Sequence, residues 1–221
     1  MNFLPANRLR LYRNFKALDG NDHNGIIRYY EQFEDGISSL DFEEYFDCTL
    51  VYTNALFQSG HHGRNVVMCD HLLELIIMQN IETWGGEDLY ATILFQKAAS
   101  LYNLDEYARS EHVLRELIKI YPNQPLFRRF LEKCLLRRKP SWLSKTRAAT
   151  VALVLLSAIV IALEIFVVKP FFEEWYRAAQ ITHNVMLVSG IAVFASGEML
   201  HALRCRWAVI SFTRKMVRRN R

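Results

Sequence analysis

The sequence predicts an all-α protein: a helical domain over the first two thirds of the chain, followed by a transmembrane helical hairpin. Three observations carry this. Between Asp22 and Arg138 apolar residues recur at intervals of three and four, the period of a helix with one buried face. Two later stretches, Ala148–Val168 and Asn184–Leu203, are apolar almost throughout. Charge is also divided along the chain, with a balance of −8 over residues 1–125 and +12 over residues 126–221. An aromatic content of 13% with only 9 Gly and 5 Pro excludes a disordered chain. The long apolar runs exclude a simple soluble enzyme domain.

Residues 1–21 form a basic amphipathic segment in which Arg8, Arg10, Arg13 and Lys16 alternate with Leu9, Leu11, Tyr12 and Phe15. This segment lacks the uninterrupted apolar centre of a signal peptide, so the front of the chain is expected to stay in the cytoplasm. The helical domain is expected over residues 22–139. Its periodic stretches are Phe42–Phe57, Val66–Met78, Leu89–Tyr102, Tyr107–Ile120 and Leu126–Leu136. Breaks fall at Ser59-Gly60, Trp84-Gly85-Gly86, Asn103-Leu104-Asp105 and Pro122–Pro125. No run alternates with period two between turns, so no strands are expected.

The membrane anchor is expected over residues 140–203, with spans at 148–168 and 184–203 and an external loop at 169–183. The first span holds 21 residues and one ionisable group, Glu164, and as a helix it is about 31 Å long, the thickness of a bilayer's hydrocarbon core. Cations flank both spans on one side: Lys133, Arg137, Arg138, Lys139, Lys145 and Arg147 before the first, and the tail after the second. The loop offers only Lys169 and Arg177 beside Glu173 and Glu174. Positive charge resists translocation, which places both termini in the cytoplasm. Trp142 and the group Phe171, Phe172, Trp175 and Tyr176 suit the headgroup layer, and Pro170–Gln180 reads as a short interfacial helix. A bacterial inner membrane fits this arrangement best.

Intramembrane polar groups are Glu164, Glu198 and His201. Charge in hydrocarbon costs roughly 2.5–3.5 kcal/mol on insertion scales. Glu164 lies near the outer end of its span and Glu198 near the inner end, so the expectation is snorkelling or structural pairing. Small residues suggest close helix packing: Ser157, Ala158 and Ala162 on the first span, and Ser189, Gly190, Ala192, Ser196 and Gly197 on the second. The tail, residues 204–221, carries Arg204, Arg206, Arg214, Lys215, Arg218, Arg219 and Arg221 among apolar side chains. It reads as an amphipathic helix on an anionic lipid surface rather than as a nucleic-acid binder.

Leu94–Pro122 resembles a tetratricopeptide repeat, a helix–turn–helix unit of about 34 residues. Ala98 and Ser110 fall at its small positions, Leu94, Leu101 and Leu114 at large apolar positions, Tyr107 at an aromatic one, and Pro122 at the closing proline. Lys97 stands where the pattern has an apolar residue. Asp41–Met78 resembles a more degenerate copy about 45 residues earlier, with Ser59-Gly60 at the turn and Asn65 at the small position. Leu126–Arg138 would then close the stack. The resemblance implies a stacked TPR-like surface that binds a protein partner, with Arg64, Asn65 and Lys97 as candidate partner-binding residues. The acidic excess between Asp19 and Asp47 either attracts a basic partner or forms a solvated face.

No phosphate-cradling loop, nucleophile elbow or enforced carboxylate pair is present, so no enzyme activity and no cofactor are expected. His61, His62, Cys69 and His71 are too ill-matched in direction for a metal site. Cys48, Cys69, Cys134 and Cys205 lie far apart and read as reduced structural thiols. The expected function is that of a membrane-anchored adaptor. Its expected partners are an unidentified protein and membrane lipid, with self-association open. The alternative is an oligomeric membrane-perturbing or transport subunit whose hairpin is the active part.

Overall fold

The computed structural model describes residues 5–81, 83–84, 86–168 and 176–219. Among them the architecture is all-α apart from one two-residue β-ladder. The elements are α1 (Pro5–Lys16), α2 (His23–Gln32), α3 (Glu34–Ile37), α4 (Phe42–Gln58), α5 (His62–Met78), β1 (Thr83–Trp84), β2 (Glu87–Asp88), α6 (Leu89–Asn103), α7 (Tyr107–Ile120), α8 (Pro125–Arg137), α9 (Ser141–Leu163) and α10 (Tyr176–Arg219). A π-helical turn, Glu164–Val168, extends α9. The chain divides into two compact units after Cys134.

In the first unit α4–α5 and α6–α7 are consecutive helical hairpins built to one plan. Gly60 and Asp105, 45 residues apart, both take positive φ (+77° and +61°) just past the first helix of each hairpin. This is the left-handed residue that ends a helix and frees the chain to reverse. The amide of His61 donates to Leu56 O at 2.9 Å, and that of Glu106 to Leu101 O at 3.0 Å, again 45 residues on. Across the helix pair, Asn65 Nδ2 donates to Thr53 O at 2.7 Å. At the equivalent place Ser110 Oγ donates to Ala98 O at 2.8 Å. Phe46, Leu56 and Leu72 fill the first hairpin, and Ile93, Leu101, Leu114, Leu117 and Ile118 the second. On α8, Phe127 packs its ring 5.4 Å from Phe95 of α6.

Two features go beyond the expectations. The apolar face of α1 joins the core: Leu11 and Phe15 are buried in one cluster with Ile26, Ile27, Tyr30 and Ile37. Their spacing of four puts both on one face of α1, and Lys16 pairs with Asp47 at 2.7 Å on the other side of that contact. α1 thus packs within the first of the two compact units. Strands also exist. Thr83 pairs with Asp88 and Trp84 with Glu87 in an antiparallel ladder, too short for any period to register in the sequence. Asp88 then caps α6 by accepting from Ala91 N at 3.0 Å.

The second unit is an antiparallel hairpin of α9 and α10. Both helices are long and apolar enough to cross a membrane, and little of either apolar stretch is buried within the protein. Gly197 lies against Thr146, where an added Cβ would meet Oγ1 at 3.0 Å, and Gly190 lies against Leu153. Ser157 is buried in the same seam, so the predicted small-residue contact forms. Ala158, Ala162, Ala192 and Ser196 instead face outward, because the seam follows positions 146, 150, 153 and 157 on α9 and 190 and 197 on α10.

The tail also differs from expectation. α10 continues without interruption for 44 residues, about 66 Å, because nothing between Leu203 and Arg219 is a Pro or Gly. Residues 204–219 thus prolong the second span's helix and do not form a separate helix lying across it. Residues 176–180 are likewise the opening of α10, and the other residues assigned to a short interfacial helix, with Phe171, Phe172 and Trp175, lie outside the described segments. So does Arg221.

Candidate partner-binding surface

The three side chains predicted to contact a partner are placed very differently. Asn65 is fully buried. Its amide nitrogen holds Thr53 O, and its oxygen accepts from Ser100 Oγ at 2.7 Å and from Cys69 Sγ at 3.4 Å. One side chain thereby ties α4, α5 and α6 together. It is a structural node with no surface to offer, which corrects its assignment to partner contact. Polarity at a repeat's small position read as a binding group; the buried amide instead satisfies groups that a small residue would leave to its neighbours.

Arg64 is exposed and pairs with Glu31 of α2. Lys97 is largely covered and pairs with Asp70 of α5, which accounts for a lysine at an otherwise apolar position: its stem packs while its head reaches a carboxylate. The two do not converge on one site.

The region around Arg64 is concave. A groove of about 370 Å³ runs between α2, α3, α4 and α5, lined by Tyr30, Glu31, Glu34, Tyr45, Tyr52, Val67, Met68 and His71. Tyr30 and Tyr52 stack in its base with ring centroids 4.0 Å apart. Tyr52 Oη donates to Glu31 Oε1 at 3.1 Å, and Tyr45 Oη and His71 Nε2 share a 2.7 Å hydrogen bond. Burial, reinforced by the negative charge of Glu31, pushes the Tyr52 phenol up to about 12, so it remains a neutral donor at physiological pH. Val67 is 66% exposed on the rim. Beyond the acidic excess of residues 19–47 nothing in the sequence marks this groove, because its walls come from four separate helices. A second groove of about 520 Å³ opens beside the ladder, between Ile76, Ile77, Asn80, Tyr90 and Tyr121.

His61, His62, Cys69 and His71 do not converge: Cys69 turns inward to Asn65, His71 meets Tyr45, and the His62 ring packs on Phe57 at 5.7 Å. All four cysteines are buried, and none forms a disulfide among the described residues. Burial pushes the thiols of Cys48 and Cys69 up to about 12. Cys205, near the end of the second apolar run, is buried as well.

In the hairpin the predicted polar groups lie against side chains of the opposite helix. Arg147 Nε donates to Glu198 Oε1 at 2.8 Å. Glu164 Oε2 lies 2.9 Å from His183 Nδ1, with both side chains mostly covered. The carboxylates therefore sit at opposite ends of the hairpin, each beside a basic group. His201 is buried between α9 and α10, its ring edge-on to Trp142 at 6.1 Å, and Arg204 lies over the Trp142 ring at 5.4 Å. Trp142 is thus held by α10 as well as by its own helix. Arg206, Arg214, Lys215, Arg218 and Arg219 are exposed along the end of α10, whereas Val209, Thr213 and Met216 are buried. Compared with known proteins, the chain has no significant match to any family model, curated protein or solved structure.

Proposed function

We propose that the protein is a membrane-anchored adaptor, in which the helical unit binds a protein partner and the hairpin holds that partner at the bilayer. The observation that carries this reading is the division of labour between the two units. One is a pair of like-built helical hairpins with an open groove. The other presents large apolar side chains outward, among them Val151 at 58% exposure, Leu155 at 61% and Ile159 at 56%. Such a surface in water would drive association, whereas lipid covers it without cost. The TPR-like pattern of Leu94–Pro122 supports protein binding as the task of the first unit. Cations before the first apolar run and after the second support a topology with both termini in the cytoplasm, and the membrane we propose is a bacterial inner membrane. Anchoring acts by raising the partner's effective concentration at the surface, with no chemistry of its own.

Tethering also changes the reading of the tail. Residues 204–219 extend about 24 Å along the helix axis, about three Debye lengths at physiological salt. Arg204 and Arg206 stay within reach of anionic headgroups, while Arg218 and Arg219 lie beyond them if the helix stands upright. Proximity labelling from an N-terminal fusion of the intact chain tests the adaptor reading. A reproducible set of neighbours that is lost when the hairpin is replaced by a soluble helix supports it. No enrichment over a hairpin-only control contradicts it.

One observation favours the alternative, a hairpin that itself perturbs or transports: the covered Glu164–His183 pair. Dye and ion leakage from liposomes carrying the intact protein, with Glu164→Gln beside it, decides between them. Leakage abolished by the substitution supports the alternative.

A further inference from the structure

We infer that the groove between α2, α3, α4 and α5 is a receptor for an arginine side chain of the docked partner. This rests on the adaptor reading for the identity of the donor, but the recognition chemistry stands on the groove itself.

The groove is amphipathic in the manner of the side chain it would take. Val67 and Met68 offer an apolar wall for a methylene stem, Tyr45 and Tyr52 supply aromatic surface, and Glu31 and Glu34 set carboxylates at the rim. A long basic side chain has the complementary build, with an apolar stem and a charged head that stays near water. Arginine fits better than lysine because its planar fork binds carboxylate bidentately and lies flat on aromatic rings. The protein already demonstrates the pairing at the groove's edge, where Arg64 engages Glu31 beside the Tyr52 hydroxyl. Glu34 is exposed and has no basic partner among the described residues. It is the carboxylate left for a guanidinium from outside. Charge complementarity extends beyond the groove, because residues 1–125 carry a balance of −8. Such a balance draws a basic segment toward this part of the chain and disfavours acidic ones. A space of about 370 Å³ is at the small end of ligand sites, the scale of one long side chain and the backbone that bears it.

The test titrates intact protein in nanodiscs, with its tyrosine rings isotopically labelled, against N-acetyl-arginine amide and its neutral isostere N-acetyl-citrulline amide. The expected result is saturable shifts of the Tyr45 and Tyr52 ring resonances with arginine at millimolar concentration. Citrulline should bind at least about tenfold more weakly, a difference of about 1.4 kcal/mol. Glu34→Gln, at an exposed position, should weaken arginine binding by a similar factor, and Glu34→Arg should abolish it by filling the groove from within. Absence of saturable shifts, equal response to citrulline, or unchanged binding in Glu34→Gln overturns the inference. Proximity labelling with the Glu34→Arg chain separates this from the adaptor reading. Neighbours lost with that variant support the groove as the docking point, and neighbours retained in full overturn that role while leaving the adaptor reading intact. Arginine binding without any enriched neighbour contradicts the adaptor reading alone.

Discussion

Replacing Asn65 with alanine should destabilise the helical unit far more than a single surface hydrogen bond would suggest. The side chain is fully buried, and its two shortest hydrogen bonds, to Thr53 O and from Ser100 Oγ, are each 2.7 Å. Net, such bonds contribute about 1 kcal/mol apiece. Truncation leaves a void of a few atoms, for which about 1 kcal/mol is a fair figure from about 24 cal/mol per Å³ of cavity. Thr53 O keeps Gln96 Nε2 as a donor at 3.2 Å, so the carbonyl is not orphaned, while Ser100 Oγ keeps only the His62 ring at 3.4 Å. The expected loss is about 2–4 kcal/mol. Ser110→Ala, at the corresponding place in the second hairpin, removes one 2.8 Å bond and should cost about 1 kcal/mol. Hydrogen exchange on the intact chain in nanodiscs reads the difference directly. At about 1.4 kcal/mol per decade, the slowest amides of α4–α7 should exchange about 30-fold to several hundred-fold faster in Asn65→Ala. Equal rates in Asn65→Ala and Ser110→Ala would refute the view that Asn65 unites three helices.

Other outcomes follow from the same geometry. Leu11→Ala or Phe15→Ala should cost about 2–5 kcal/mol in the same exchange experiment, since both side chains are buried with α2 and α4; a change under about 0.5 kcal/mol would contradict that burial. Burial, with the nearby charge of His61, holds the His62 imidazole below its ordinary value, so the folded state favours the neutral ring. Stability from this residue is present above about pH 6.5 and is lost as pH falls through the lowered folded value. His62→Gln should flatten the acid limb of a stability–pH curve, and an unchanged limb would contradict the assignment. With all four thiols buried and those of Cys48 and Cys69 pushed up to about 12, native protein should react with an aromatic disulfide reagent only on unfolding. Rapid stoichiometric modification in the native state would show that burial to be wrong. Gly197→Leu should separate α9 from α10, because even a Cβ there meets Thr146 at 3.0 Å, and a pyrene pair across the hairpin should lose excimer emission. Gly63→Leu, at an open position in α5, serves as a control.

Much of this architecture was legible because its signals are local. The turn at Ser59-Gly60 and the one at Asn103–Asp105 were marked by residues that accept positive φ or lack helix propensity, and Tyr107–Ile120 emerged with its predicted ends. The spacing of the two hairpins was visible too, since Gly60 and Asp105, and Asn65 and Ser110, occupy matching places in the chain. What stayed hidden depends on through-space partners. Arg8, Arg10, Arg13 and Lys16 made α1 look like a surface segment, although Leu11 and Phe15 had helical spacing. Whether that face meets core or lipid is decided by α2 and α4, not by α1. Asn65 looked functional because a polar residue had replaced a small one, and only the nearness of Thr53 O and Ser100 Oγ shows its use. The ladder of Thr83–Asp88 is too brief for a pattern. The end of the second apolar run looked like the end of a helix because hydropathy changes there, but hydrogen bonding along a backbone follows propensity and not polarity, and α10 runs on.

The most direct test of the account is depth. Single spin labels placed one at a time at Val151, Leu155, Ile159 and Leu163, the outward face of α9, would be compared with Ser59 in the turn between α4 and α5, on the intact chain in lipid bilayers. The account predicts high collision rates with dissolved oxygen and low rates with a water-soluble nickel complex at all four sites, deepest near Leu155 and Ile159, with the reverse at Ser59. Nickel accessibility at the four α9 positions equal to that at Ser59 would contradict it.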